Sequence, residues 1–493
     1  MPSAAVKAVS SPKPGWSCEI CEKVAIFSVD VVCLVVSFFL GSNYRELAPL
    51  ANAPQRISVW LTYGTGSHLL GYLCSAVVLL YWFWEHGHYS RRLPFWDGQR
   101  QVLRLFLAAA TLEGAFLILL SEARFERIEF IASWVWALVL LSLGRIAIKM
   151  FLSGIGMWKR PTIIVGTGSN AVRAYAALSN ERLMGYPIVA FALVEGQEYS
   201  DSVIETEQGS LPVIRLDRSS GDTLSRYGRP NFVVAPDSLS DLEKVVQSLS
   251  SYGSLTVIPP LGGLPLYGME ISHFFSHDLI LMRVRNNLNR IGMQLVKRFF
   301  DLAFSILFLL FFWWIFVYFV LRIRATGGPA IFGHKRVGRH GKEFTCYKFR
   351  TMVTNAEVVL KDILAKDPEA AAEWARDFKL KDDPRIISIG RLLRRTSLDE
   401  LPQIWNVLLG DMSLVGPRPI VAAELERYGQ YVDYYLEAKP GITGIWQVSG
   451  RNNTTYSERV AQDVWYVRNW SLWYDLVVLL KTVAAVFRRE GAY

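Results

Sequence analysis

Four apolar segments, at about residues 24–41, 66–84, 102–120 and 130–150, constrain this chain more than any other feature of its 493 residues. Each is close to the roughly 20 residues that a helix needs to cross hydrocarbon, so the expected fold begins with a membrane α-helical bundle of four spans. Residues 1–23 form a polar tail that does not read as a signal peptide. Lysines and arginines orient the bundle. Lys7, Lys13 and Lys23 precede the first span, Arg91, Arg92 and Arg100 separate the second from the third, and Lys149, Lys159 and Arg160 follow the fourth. That modest bias favours both ends of the bundle inside the cell, as for a multi-pass membrane protein. The net charge of +9 suits either nucleic acid or anionic lipid. In a membrane protein it favours lipid headgroups and phosphorylated substrates, and no nucleic-acid partner is expected. His86 and His88 sit in the inner loop and read as interfacial rather than metal-binding. Of five cysteines only Cys18 and Cys21 form a CxxC pair, without the second pair of a zinc site, so free thiols are expected.

Residues 159–280 read as a Rossmann-like cytoplasmic α/β domain. An apolar strand at 161–165 runs into Gly166-Thr167-Gly168-Ser169-Asn170-Ala171, a G-x-G-x-x-A turn that opens a helical stretch. A dinucleotide fingerprint requires that context, and the same turn also occurs where nothing binds. The run at 189–194 ends at Glu195, a candidate acid of the second strand, and further strands are expected at 231–235 and 255–259. A nucleotide-sugar oxidoreductase or epimerase built on this domain would need a Tyr-x-x-x-Lys pair, and residues 159–273 contain none.

Residues 290–493 carry the chemistry. They open on an apolar run, 299–321, with Lys297 and Arg298 on one flank and Arg322 and Arg324 on the other. Positive charge at both ends resists an ordinary crossing and favours a re-entrant helix; a fifth span is the alternative. The densest stretch is 382–419. It holds the acidic pair Asp399–Glu400, four upstream arginines (Arg385, Arg391, Arg394, Arg395) and Arg418 between prolines. Carboxylates ringed by arginines suit phosphate chemistry, because guanidinium groups hold phosphate oxygens in pairs. Pro402 is tolerated only in a first helical turn, so the helix over ELPQIWNVLLG cannot begin much before Asp399. Asp399 is then expected at or beside the N-cap, ionised by the helix dipole; a plain capping role is the alternative. Ser397 and Glu400 match a capping box, which would push Pro402 too deep into the helix and is rejected.

KFRTM (348–352), DDPRI, RRTSLDELPQIWNVLLGDMSLVGPRP and KPGITGIWQVSGR together resemble the bacterial sugar transferases, the monotopic phosphoglycosyl transferases. With the leading spans and the α/β domain, the chain resembles the large members that initiate O-antigen, capsule or exopolysaccharide synthesis. The resemblance implies transfer of a hexose 1-phosphate from a UDP-hexose to undecaprenyl phosphate, with release of UMP and with Mg2+. Galactose is favoured over glucose by the flanks of the motifs. It also implies Asp399 as nucleophile and Glu400 as its partner, either of them a metal ligand. Arg394 and Arg418 match phosphate-holding arginines, with Lys348, Arg350 and Arg451 as further candidates that could instead form structural ion pairs. The family's re-entrant helix is usually broken by a proline, and 309–314 (LLFFWW) has none. The middle domain is expected to serve regulation or assembly, with a homodimer as the expected state.

Overall fold

The computed structural model describes residues 16–42, 66–119, 127–194, 202–206, 209–216, 227, 230–249, 255–264, 269–273, 280–284, 287–369, 371, 380, 383–449 and 455–488. The chain divides into two compact units, Met1–Gly262 and Gly263–Tyr493.

The first unit begins with four helices: α1 (Trp16–Ser42), α2 (Gly66–Glu85), α3 (Phe95–Leu119) and α4 (Arg127–Gly154). Three of them are long and apolar enough to cross a membrane, and the described part of α2, Leu69–Glu85, is a shorter apolar helix. Their shared core is aromatic and aliphatic, with Phe38, Tyr72, Leu79, Phe83, Trp134 and Leu141 among its members. Its buried charged groups are paired or hydrogen-bonded, as low dielectric requires. Asp30 accepts from Arg145 at 2.8 and 2.6 Å and from the Tyr89 hydroxyl at 2.9 Å. Arg92, in the loop after α2, donates to the carbonyls of Trp158, Met184 and Gly185, and so ties the bundle to the domain that follows. The described cysteines, Cys21, Cys33, Cys74 and Cys346, are free thiols.

That domain is a mixed six-stranded α/β sheet. β1 (Thr162–Val165) lies between β2 (Ile188–Val194) and β5 (Asn231–Val234) and is parallel to both, with α5 (Ser169–Asn180) after β1. The strands run in the order β3-β4-β2-β1-β5-β6, with β3 (Val203–Thr206) antiparallel to β4 (Gly209–Leu216), α6 (Leu239–Leu249) after β5, and β6 (Leu255–Val257) at the far edge. β1 is buried along its whole length, which explains its unbroken apolar sequence. The glycine turn is filled from within. The Asp237 carboxylate accepts from the Asn170 N–H at 2.8 Å and the Ser169 hydroxyl at 3.1 Å, and it overlaps the place a side chain at Gly168 would take. The N-terminus of α5, the seat of a pyrophosphate in a dinucleotide fold, thus already holds a carboxylate. Glu195 lies outside the described residues.

The second unit starts with a hairpin of β7 (Glu270–His273) and β8 (Ile280–Arg283), followed by α7 (Ile291–Arg324), one uninterrupted helix of 34 residues. Neither end of α7 is loose. Asp301 accepts from the Ser413 hydroxyl at 2.8 Å and the Leu414 N–H at 3.2 Å, while Lys297 donates to Asp475 at 2.6 Å. At the other end Phe319 and Ile323 join a core with Phe349, Ile387 and Leu393. Between these anchors Phe304, Leu307, Leu310, Phe311, Trp313 and Trp314 are exposed. The remaining elements are β9 (Ile331–Val337) paired with β10 (Glu343–Phe349), α8 (Ala356–Lys366), α9 (Ser388–Thr396), α10 (Gln403–Leu409), β11 (Ser413–Val415), α11 (Val432–Glu437), β12 (Gly441–Thr443), α12 (Ile445–Val448), α13 (Tyr456–Arg468) and α14 (Leu472–Arg488).

Candidate active site

The site is assembled on β10, the segment after it, and the turn between α9 and α10. Asn406 of α10 fixes the first contact. Its amide accepts from the Tyr347 N–H at 3.0 Å and donates to the Thr345 carbonyl at 2.7 Å, fastening α10 along β10. Lys348, the next residue of that strand, is thereby set beside the acidic pair. α9 lies tight against Thr351, because any side chain at Gly390 would collide with the Thr351 carbonyl. It ends at Ser397 in the left-handed region (φ 56°), an unfavourable conformation for a residue with a Cβ. That kink turns the chain into a single 3-10 turn, Leu398–Glu400, and Pro402 then caps α10. Ser397 makes no side-chain capping bond. The expected limit on the helix start therefore holds, but Asp399 sits in the preceding turn rather than at the N-cap.

This displacement changes the electrostatics. Lys348 Nζ lies 2.6 Å from Glu400 Oε1 and 3.9 Å from Asp399 Oδ2. Burial raises the Asp399 pKa above the usual carboxylate value; Lys348 and Arg394 pull it down and Glu400 pushes it up. The net direction is therefore set by burial rather than by a helix N-terminus. Burial opposes the charge on Lys348, but Glu400 and then Asp399 outweigh it and hold the ammonium above its ordinary value. Arg394 donates from Nε to the Thr351 hydroxyl at 3.0 Å, and its terminal nitrogens meet no protein acceptor among the described residues. It is therefore oriented yet available.

The other candidates separate. Arg418 is exposed, with its guanidinium 5.4 Å from the Trp446 ring. Its own N–H bonds to Asp463, a carboxyl that burial pushes up to about 7 and that also accepts from the Tyr428 hydroxyl at 2.8 Å. Arg350, a further phosphate candidate with a structural role as its alternative, has its donors taken up by the protein itself. It is buried and donates to the carbonyls of Pro329, Ile323 and Gly327 and to the Thr326 hydroxyl, which closes the C-terminus of α7. Arg385 is likewise engaged, by Asp383 at 2.8 and 2.6 Å, whereas Arg391 and Arg395 are exposed. Arg451 lies outside the described residues. Reading the sequence missed Thr351, Asn406 and Asp463, which orient Arg394, β10 and Arg418. Thr351 and Asn406 lie inside the quoted motifs, but nothing in their spacing reveals these partners.

Among the described residues no three His, Cys, Asp or Glu side chains form a metal cluster. Asp399 and Glu400 nonetheless converge on a positive charge and offer only hard oxygens. That donor set fits a magnesium ion whose remaining ligands are phosphate oxygens and water.

A bacterial sugar transferase model matches residues 292–489. The chain is 47% identical over 424 residues to the undecaprenyl-phosphate galactose phosphotransferase of Salmonella typhimurium, covering 85% of this chain and 87% of that one. It is 42% identical to the UDP-galactose-lipid carrier transferase of Erwinia amylovora, with the same 85% and 87% coverage. Identity to the UDP-glucose:undecaprenyl-phosphate glucose-1-phosphate transferase of Xanthomonas campestris is 26%, over 100% of this chain and 99% of that one. The chain belongs to the bacterial sugar transferase family.

Proposed function

We propose that this protein transfers galactose 1-phosphate from UDP-galactose to undecaprenyl phosphate and releases UMP, the first step of a surface polysaccharide. The observation that carries the reading is the half-buried Asp399 carboxylate, unpaired except by a lysine at 3.9 Å, beside an available Arg394. Galactose follows the named substrates of the two relatives at 47% and 42% identity, against 26% for the glucose relative.

In the proposed sequence an Asp399 oxygen attacks the sugar-side phosphorus, and the bond to the bridging oxygen breaks. UMP leaves with that electron pair, and an acyl phosphate links the sugar to the protein. An oxygen of the lipid phosphate then attacks the same phosphorus and frees the Asp399 carboxylate. Arg394 and Arg418 hold the transferring and leaving phosphates, and Lys348 keeps Glu400 in register with Asp399 and favours its ionised form. Asp399 or Glu400 would hold a magnesium ion, which when bound would supply charge neutralisation on the diphosphate. Label from UDP-galactose carrying 32P in the sugar-side phosphate should remain on the polypeptide when lipid is withheld. Its failure to appear on active protein would reject the covalent step.

The same reading extends to membrane placement, and α7 supports it. At about 1.5 Å per residue its 34 residues extend roughly 51 Å, more than the ~30 Å of hydrocarbon. Both anchors of the helix, Asp301 on Ser413 and Ile323 on Phe349, nevertheless lie on one compact unit. A helix that crossed would carry one anchor to the opposite face, so α7 is read as embedded from the cytoplasmic side with both ends returning there. Cysteines placed at Gly292 and Gly327 should both react only with reagents reaching the cytoplasm. Labelling of Gly327→Cys from outside would reject this placement.

A further inference from the structure

A cavity of about 240 Å³ opens beside the first turns of α7, and neither Asp399, Glu400 nor Arg394 lines it. Four cations line it, Lys297, Arg298, Arg339 and Lys439, against the carboxylates Asp301 and Glu437. Two of the cations are already used. Lys297 is paired with Asp475, and Arg298 donates to the carbonyls of Val407 and Leu408 at 2.5 and 2.8 Å, where α10 ends. The other two are not. Arg339 has a buried Nε with no acceptor, and Lys439 makes no ion pair among the described residues.

These charges converge. A methyl group at Gly410 would lie 3.6 Å from Arg298 Nη2 and 3.7 Å from Lys439 Nζ. Burial, then Arg298 and more weakly Arg339, hold the Lys439 pKa below its ordinary value against the pull of Asp301. A buried guanidinium nitrogen without an acceptor and an ammonium crowded by like charge both favour an incoming anion. The rim says what kind. Ile291 and Leu295, on the α7 face that lines the cavity, are 77% and 66% exposed. A soluble anion has no use for that apolar border, whereas a lipid needs it.

We propose that this cavity binds the phosphate headgroup of a membrane lipid, with Arg339 and Lys439 holding the phosphate and Ile291 and Leu295 meeting the hydrocarbon. The inference rests on the embedded position of α7 argued above. A glycerophospholipid and the polyprenyl phosphate acceptor present the same phosphate chemistry to these two cations.

The test uses the full-length protein in phosphatidylcholine nanodiscs doped with phosphatidylglycerol, with retained lipid counted by native mass spectrometry. Wild type should retain phosphatidylglycerol selectively, and R339Q/K439Q should lose that retention by about tenfold. R339K/K439R should keep it, which separates charge from folding, and K361Q/K366Q on exposed α8 should leave it unchanged. Displacement by undecaprenyl phosphate, with KM for that lipid raised in the double variant at constant kcat, assigns the site to the acceptor. Loss of phosphatidylglycerol alone assigns it to a glycerophospholipid. Equal retention by wild type and R339Q/K439Q overturns the proposal, as does binding of inorganic phosphate alone. Quenching of Trp313 and Trp314 by brominated lipid, read against W313F/W314F, tests the position of α7 separately. Quenching without lipid selectivity rejects only the cavity, and no quenching rejects both.

Discussion

Asp399 and Asp475 belong to the same unit, each lies beside a lysine, and the fold treats them in opposite ways. Asp475 is fully buried and saturated: it accepts from Lys297 at 2.6 Å, the Tyr466 hydroxyl at 2.7 Å and the Trp470 indole at 3.1 Å. Asp399 keeps 17% of its side chain exposed, and its nearest cation stands at 3.9 Å, drawn closer to Glu400. A carboxylate held by three donors in the interior gives a phosphorus atom no access and is useful as a bolt between α7 and α14. An under-coordinated one, lifted in pKa by burial, retains the basicity and the access that a nucleophile needs. Hydrogen-bond saturation, more than burial, separates the structural acid from the reactive one.

The sharpest way to break this contrast is Asp399→Asn. UMP release should fall by about 10³-fold or more, and the 32P adduct should vanish. Stability should hold or rise. A carboxyl whose folded pKa exceeds its unfolded value contributes stability that is present below about pH 4 and lost as pH rises through the folded pKa, and the amide removes that loss. Retained turnover would reduce Asp399 to a capping residue. The converse change, Asp475→Asn, should cost about 3 kcal/mol in denaturant unfolding by leaving the buried Lys297 with only Asp301, at 4.0 Å, as counter-charge. A stable Asp475→Asn protein would break the bolt.

Arg350→Met should destabilise by about 2–3 kcal/mol, since several carbonyls at the end of α7 lose their donor, while kcat per folded molecule holds. A raised KM for UDP-galactose in a fully folded variant would restore Arg350 to the substrate site. Lys348→Met should move the acid limb of the kcat/KM profile to higher pH. The ammonium favours ionised Asp399, and without it burial and Glu400 act unopposed from that side. A shift to lower pH would reverse the assignment. The smallest effect concerns Asp463, raised to about 7. Its stabilising contribution is complete below about pH 4 and is lost at up to ~1.4 kcal/mol per pH unit between there and the folded pKa, above which the slope vanishes. Asp463→Asn should flatten that slope in unfolding measured from about pH 4 to 8.

The amino-acid sequence alone determined the apolar bundle, the parallel strands around the glycine turn and the acidic pair with its arginines. Those features follow from local rules: segment length against bilayer thickness, apolar runs in buried strands, and the fixed φ of Pro402. Tertiary structure decided which charges are free. Arg350 and Arg394 both stand among the phosphate candidates in the motifs, yet one is engaged by carbonyls at the end of α7 and the other leaves its terminal nitrogens available. Asp237 closes the glycine turn from 67 residues beyond Asn170 by way of its side chain, a pairing that no local pattern announces. Hydrogen-bond saturation depends on groups brought together from distant parts of the chain, and only packing settles it.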